Sequence, residues 1–220
     1  MLGKKSTQPL PSFYKMKLAS DYTQQGYGEA KAPSWLKNEY VGHGKTHHSW
    51  AKPVFELTEG TYADLLRNDL LSPLVSPAFR EAVEANRYLK DIVHWLPVTI
   101  RSSEHGNREF FLLNLPYRLK ILVPRQDDLN EVREYVEMPP ISAKAVGEHQ
   151  IFTYLDPHEE LRNDVLVAEP MKKALEEAGL TGFAFSSVEV THDDVFSSLR
   201  KTNEAKGRVT STLKLLKIIK

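Results

Sequence analysis

The sequence predicts an α+β fold, a mostly antiparallel sheet with a few short helices. Three observations lead there. Apolar stretches of strand length recur along the chain, and two of them read as a β-hairpin across residues 93–115. Helical spacing is clear only twice, in short runs over 77–87 and 170–178. Each helix follows an apolar strand-like run directly and opens on a proline. Because strand, helix and strand succeed one another in both places, near 74–100 and 165–190, an α/β arrangement stays open and a weak internal similarity is visible.

Taken in order, residues 1–12 are polar with Pro9 and Pro11 and read as a loose arm. Phe13 to Leu18 alternates in strand fashion. Residues 19–52 are rich in Gly, Ser, Thr, Lys and His and read as a long irregular connection. Tyr22, Tyr27, Trp35, Tyr40 and Trp50 are too many aromatics for a free linker, so this stretch is expected to pack on the body. Val54 to Leu57 is a further strand. Ser76 is a good N-cap before Pro77, and Phe79, Ala82 and Val83 sit on one helical face. Val93 to Ile100 is a strand interrupted by Pro97, which lacks a ladder donor, so an edge or a bulge is expected there. A turn at Glu104 to Asn107 leads to the apolar Glu109 to Leu115. Leu119 to Val123 extends the sheet, Arg133 to Glu137 alternates weakly, and Gln150 to Leu155 is another strand. Val165-Leu166-Val167 is a buried-strand run. Met171, Ala174, Leu175 and Ala178 follow helical spacing, and Gly179 supplies the left-handed stop. Phe183 to Phe185 closes the second unit. The expected core is Phe79, Val83, Trp95, Phe111, Leu113, Ile151, Phe152, Leu166, Leu175, Phe183 and Phe185.

Composition excludes several function classes. The 220 residues contain no Cys, which removes disulfides, thiolate zinc sites and Cys nucleophiles. Equal numbers of basic and acidic side chains, 29 of each, argue against a uniformly basic nucleic-acid coat. No apolar run approaches the roughly 20 residues that span a bilayer, and residues 1–17 lack the apolar centre of a secretory signal. A cytoplasmic protein without membrane contact is expected. The charge is nevertheless uneven. Residues 127–160 hold nine acids against Arg133 and Lys144, between a basic N-terminal stretch and a basic 201–220. The acidic middle either pairs with the basic ends or offers one acidic face to a basic partner.

Motifs that invite a chemical reading fail on context. Gly42-His43-Gly44-Lys45-Thr46 has Glu39 where a phosphate loop needs glycine, and no strand leads into it. His43, His47 and His48 lie in a glycine-containing segment without further ligands, and read as loop histidines rather than a metal site. His192-Asp193-Asp194 reads as a helix cap before Val195-Phe196. Glu159-Glu160 and Glu176-Glu177 sit in polar contexts and form no tuned acid–base pair. The basic tail has no aromatic residue for base stacking, so direct nucleic-acid binding is not expected. No catalytic residue, metal or cofactor is assigned.

The order Leu74-Val75-Ser76-Pro77-Ala78-Phe79, Trp95-Leu96-Pro97-Val98-Thr99-Ile100, Phe110-Phe111-Leu112-Leu113-Asn114, His149-Gln150-Ile151-Phe152 and Val165-Leu166-Val167 resembles immunity family eleven of bacterial polymorphic toxin systems. The resemblance covers roughly residues 54–190. Its most specific element is the closing helix with Ala178-Gly179-Leu180-Thr181-Gly182-Phe183. It implies a non-enzymatic protein that neutralises a cognate toxin encoded by an adjacent gene, and it carries no site residues with it. It also sets the expected organisation: an arm and connection over 1–53, an immunity-like domain over 54–190 and a basic extension over 191–220. On the acidic-face reading, Asp127, Asp128, Glu131, Glu134 and Glu137 are the candidate toxin-binding residues. A different interaction or scaffold role, or a hydrolase using the histidine-rich loop, are the alternatives.

Overall fold

The structure, a computed structural model, describes residues 9–38, 46–47, 49–70, 72–123, 138–155 and 164–193. Thirteen strands and three α-helices are formed among them: β1 (Phe13–Leu18), β2 (Glu29–Lys31), β3 (Val54–Glu59), β4 (Leu65–Asn68), β5 (Leu74–Val75), α1 (Pro77–Asn86), β6 (His94–Arg101), β7 (Arg108–Asn114), β8 (Arg118–Leu119), β9 (Ile141–Ser142), α2 (Ala143–Val146), β10 (Ile151–Tyr154), β11 (Leu166–Ala168), α3 (Glu169–Glu177), β12 (Phe183–Ser187) and β13 (Val190–Thr191). A 3-10 turn over Ser34–Asn38 follows β2. The fold is α+β and mostly antiparallel, as the sequence predicts.

Two β layers share the chain. One is a closed barrel in the order β2-β3-β6-β7-β5-β4, and the other a five-stranded sheet in the order β12-β1-β11-β10-β8. Strands β13 and β9 pair separately. The parallel contacts are β2 with β4, β3 with β6, β8 with β10 and β9 with β13.

The weak internal similarity is a structural repetition. β5 and β6 both pair antiparallel with β7 and lie on either side of it, with α1 connecting them. β11 and β12 flank β1 in the same way, with α3 connecting them. Each unit is thus a split β-α-β motif with an antiparallel strand in its centre. Val75, Phe79 and Val83 correspond to Val167, Met171 and Leu175 at one constant offset, and all six are fully buried. The two helices pack against each other, and the Phe79 ring meets the Phe183 ring edge-on. Ser76 caps α1 by accepting a hydrogen bond from the Phe79 amide, whereas α3 begins without a side-chain cap. Gly179 ends α3 at φ +66°, the conformation for which glycine is favoured there.

Three apolar clusters follow: inside the barrel around Phe55, Leu74, Ile100 and Leu112; between the helices and the two β layers around Phe79, Val83, Met171 and Leu175; and on the far side of the sheet around Phe13, Phe152, Tyr154 and Leu166. Four expected core residues are only partly buried: Trp95, Phe111, Phe183 and Phe185. Trp95 stays near the surface because its indole N–H donates to Glu84 Oε1 at 2.6 Å. The Phe111 ring is covered by the Arg80 guanidinium, 4.8 Å from its centroid. Phe183 and Phe185 stand on an edge strand, with a neighbour on one side only.

The expectation for Pro97 needs a correction, since β6 is an inner strand of the barrel. Pro97 pairs with Phe111 on one side, but β3 begins to pair only at Thr99, so the missing donor falls beyond the end of β3. The Pro97 carbonyl accepts from the Trp50 indole at 2.8 Å. This fixes part of the aromatic-rich connection to the barrel, and Tyr22 is likewise buried. Trp35 stands half exposed.

Candidate functional site

The chain leaves α1 through an extended Arg87 and forms a tight loop over 87–93 before β6. Asp91 in this loop is only 2% exposed. A carboxylate withdrawn from water must be supplied with donors, and the fold supplies four. Oδ2 accepts from the backbone N–H of Tyr88 at 2.9 Å, Gln150 at 3.0 Å and Ile151 at 3.4 Å. Oδ1 faces His149 Nδ1 at 2.6 Å. Arg87 adds a bond from Nη1 to the Asp91 carbonyl at 2.8 Å while its Nε holds Glu84. The loop after α1 is thereby fastened to the segment that enters β10.

Outside this fastening the loop is apolar and open to water. Leu89 is 94% exposed and Ile92 51%. Tyr117, 60% exposed, belongs to the same end of the fold. It lies between Asn114 of β7, which pairs with His94 at the start of β6, and Arg118 of β8, which pairs with Thr153 of β10. These are the three most exposed large apolar side chains among the described residues. A polar layer is buried at this end: Asn114 and Thr153 join Asp91, each under one-twentieth exposed. Burial also lowers the Arg118 guanidinium from its ordinary value.

His149 held by a buried aspartate has the geometry that orients an imidazole for proton transfer, a task that also requires a nucleophile or a water within reach. The His149 ring otherwise meets the edge of Tyr88, with 6.2 Å between centroids.

A second aspartate joins the two β layers. Asp64 precedes β4 and accepts from Ser76 Oγ at 2.6 Å on Oδ1. On Oδ2 it accepts from Thr181 N at 2.8 Å and Thr181 Oγ1 at 3.0 Å. The Leu65 amide donates to the Thr181 carbonyl at 3.0 Å. Gly182 follows at φ +90°, and a Cβ there would stand 2.4 Å from the Leu65 carbonyl oxygen. Only glycine permits that approach. The cleft beside this junction, about 390 Å³, is lined by Tyr62, Asp64, Ser76, Arg108, Glu109 and Thr181. Arg108 lies over the Tyr62 ring, and Glu109 pairs with Lys52.

A third carboxylate, Glu84, shows a balance of effects. Burial pushes it upward, but hydrogen bonds from Trp95 and Arg87 and the charges of Arg87 and Arg80 outweigh that and hold it below its ordinary range.

Few of the candidate residues read from the sequence are among the described residues. Asp127, Asp128, Glu131, Glu134 and Glu137 lie outside the described residues, as do His43, His48, Glu159, Glu160, Asp194 and the basic tail. His47 is described, and its ring meets Trp50 edge-on at 5.5 Å. Glu176 pairs with Lys172 one turn back on α3. The Asp193 amide donates to Thr191 Oγ1 in a bend after β13.

Asp64 and Asp91 escaped the sequence reading, yet their partners did not. Gln150-Ile151 open the strand read over Gln150 to Leu155, and Thr181-Gly182 lead into the strand read from Phe183. The available signal for Asp91 was an acid set between Leu89 and Ile92, where a solvated loop would carry polar neighbours.

No family model matches the chain, nor does any curated protein. No helix among the described residues is long and apolar enough to cross a membrane.

Proposed function

We propose that this is a cytoplasmic immunity protein that neutralises a cognate bacterial toxin by stoichiometric binding and occlusion, without a cofactor. The observation that carries the reading is the loop at 87–93, where a fully exposed leucine rides on a backbone pinned by a buried carboxylate. Exposed apolar groups on a pre-ordered frame bind with little further loss of entropy, which is the economy a tight protein–protein contact needs. The resemblance of residues 54–190 to an immunity family supplies the kind of partner.

The test is a titration of the toxin encoded beside this gene. Under occlusion, toxin activity falls linearly and reaches zero at one molar equivalent. The Asp91–His149 pair favours a second reading, in which the protein inactivates its partner chemically. In that case far less than one equivalent protects, and His149→Ala abolishes protection while the complex still forms. Undiminished toxin activity at a large molar excess would refute both.

A further inference from the structure

We infer that the outer edge of β12 is a self-pairing surface, and that a second copy of this chain docks on it in antiparallel register centred on Phe185. The two five-stranded sheets then run on as one. The inference does not rest on the proposed function.

Hydrogen bonds fix which way the β12 backbone points. The Ala19 amide donates to the Gly182 carbonyl at 3.1 Å, and the Val188 amide donates to the Phe13 carbonyl at 3.1 Å. Between these bonds the register runs without a break from Leu18 opposite Phe183 to Tyr14 opposite Ser187. In an antiparallel ladder such bonds recur at every second residue. Ala184 and Ser186 therefore bond inward to β1, and the N–H and C=O groups of Phe183, Phe185 and Ser187 point away from it. No other strand lies on that side, and among the described residues no hydrogen bond reaches these groups.

This edge is undefended where the others are not. The barrel is closed, and β8, β9 and β13 are two residues each. β12 runs for five residues, Phe-Ala-Phe-Ser-Ser, without a charge, a proline or a bulge. Those are the usual devices that keep an edge from pairing. The strand is also held at both ends. Gly182 lies against the Leu65 carbonyl, and the Glu189 carbonyl accepts from the Ile141 amide at 2.9 Å. A strand already extended and fixed loses little further entropy when it pairs.

Symmetry selects the occupant. The outward groups are centred on Phe185, so a two-fold axis there sets Phe183 opposite the second copy's Ser187 and Phe185 opposite its own counterpart. Every outward donor then meets an acceptor, and a closed two-fold dimer is the commonest assembly of soluble chains. β12 carries no charge with which to select a foreign strand, whereas its side chains suit one another. Phe185 is edge-on to Phe183 at 5.4 Å and to Tyr14 at 6.5 Å, on one face of the sheet. Across the axis the two Phe185 rings extend that cluster as a cross-strand aromatic pair. On the other face, Ala184 and Ser186 lie opposite one another and are both small. The resulting bonds are fewer than the roughly ten of a standard interface, so self-association in the micromolar range is expected.

The experiment follows sedimentation and amide hydrogen exchange of the full chain through a dilution series. The protein should pass from monomer to dimer as concentration rises. The amides of Phe183, Phe185 and Ser187 should slow at least about 10-fold in the dimer, while those of Ala184 and Ser186 are slow throughout. Ser187→Pro removes an outward donor and spares the bonds to β1, so it should stay monomeric and keep the wild-type melting temperature in dilute solution. Ser187→Ala keeps the donor and should dimerise as wild type does. Because the chain contains no Cys, Phe185→Cys can form a disulfide only with another copy, and a facing Cα separation of about 5.5 Å suits that bond. Glu104→Cys, in the turn between β6 and β7, should cross-link far more slowly. A wild-type protein still monomeric at about 1 mM overturns the inference. So does a dimer that persists in a folded Ser187→Pro. Should Ser187→Pro not fold, the cross-link decides: equal rates for Phe185→Cys and Glu104→Cys place the dimer contact elsewhere and overturn the inference. If the three outward amides are slow in the monomer as well, another part of the same chain covers the edge and the inference falls.

Discussion

Removal of the Asp91 carboxylate should loosen the fold at one defined point. In Asp91→Ala, four donors lose their acceptor. Tyr88 and His149 stand near water and recover a partner there. The Gln150 and Ile151 amides are less accessible, since Ile151 is 2% exposed and Gln150 half-buried. At about 1–2 kcal/mol for each orphaned donor, the loss is about 2–4 kcal/mol. Asp91→Asn behaves differently. Its amide oxygen still accepts from the three backbone groups, and its NH₂ faces His149, which exchanges tautomer to accept. Only the charge assistance is lost, at about 1 kcal/mol. Urea denaturation separates the two variants. With a slope of about 2–3 kcal/mol per molar for a chain of this size, the midpoint of Asp91→Ala should fall by about 1 M and that of Asp91→Asn by less than half as much. Amide exchange should accelerate at Gln150 and Ile151 in the alanine variant. The reasoning fails if Asp91→Ala lies within 0.5 kcal/mol of wild type, an order-of-magnitude bound set by ordinary surface substitutions, or if alanine and asparagine cost the same.

Phe152, 3% exposed and edge-on to Phe13 at 5.6 Å between centroids, should cost about 3–5 kcal/mol as Phe152→Ala, and a loss under about 1 kcal/mol in urea would remove it from the core. Glu84 gives a pH signature: its carboxyl is held below its ordinary value of 4.5, so the stability it contributes is complete above that value and disappears as acid takes pH through the lowered one. The stability difference between wild type and Glu84→Gln should therefore be full at neutral pH and vanish in acid; a difference independent of pH would contradict this. Charge reversal at Asp128 and Glu131 should slow toxin association at low salt without lowering the melting temperature, whereas a lower melting temperature with unchanged association would mean that these acids pair within the chain.

Periodicity made the repeated unit legible. Val75, Phe79 and Val83 recur as Val167, Met171 and Leu175 because each helix must bury the same face after the same kind of strand. The proline openings and Gly179 are local signals, and local signals survive in a sequence. β2, β4 and α2 were not legible: each is short, and β4 is a strand because of what it pairs with rather than because of its own pattern. Pro97 misled, since sequence shows the missing donor but not that the neighbouring strand has ended there. Trp95 and Phe111 misled in another way. Aromatic size argues for burial, and only the fold reveals that Glu84 and Arg80 cover them from outside. The two aspartates were invisible as sites because their partners are far away in sequence. Asp64 meets Thr181, and Asp91 meets His149 and Gln150.

The placement of β1 bears on how the protein is made. Ribosomes deliver the chain from its N-terminus, and β1 is the first of the described strands to be delivered. Both its neighbours, β11 and β12, come from the far end of the described chain. The barrel strands are all synthesised in between and can close on themselves while β1 waits. For that interval β1 is an unpaired strand with Phe13 and Met16 uncovered, a template for pairing with another nascent chain. Lys15 and Lys17 follow Phe13 on one face of the strand, alternate with Tyr14, Met16 and Leu18 on the other, and keep such a template charged. Later, Lys15 closes on Asp164 at 2.7 Å as the last unit docks. The same lysine thus guards the strand against its neighbours in the polysome and then seals it into its own sheet.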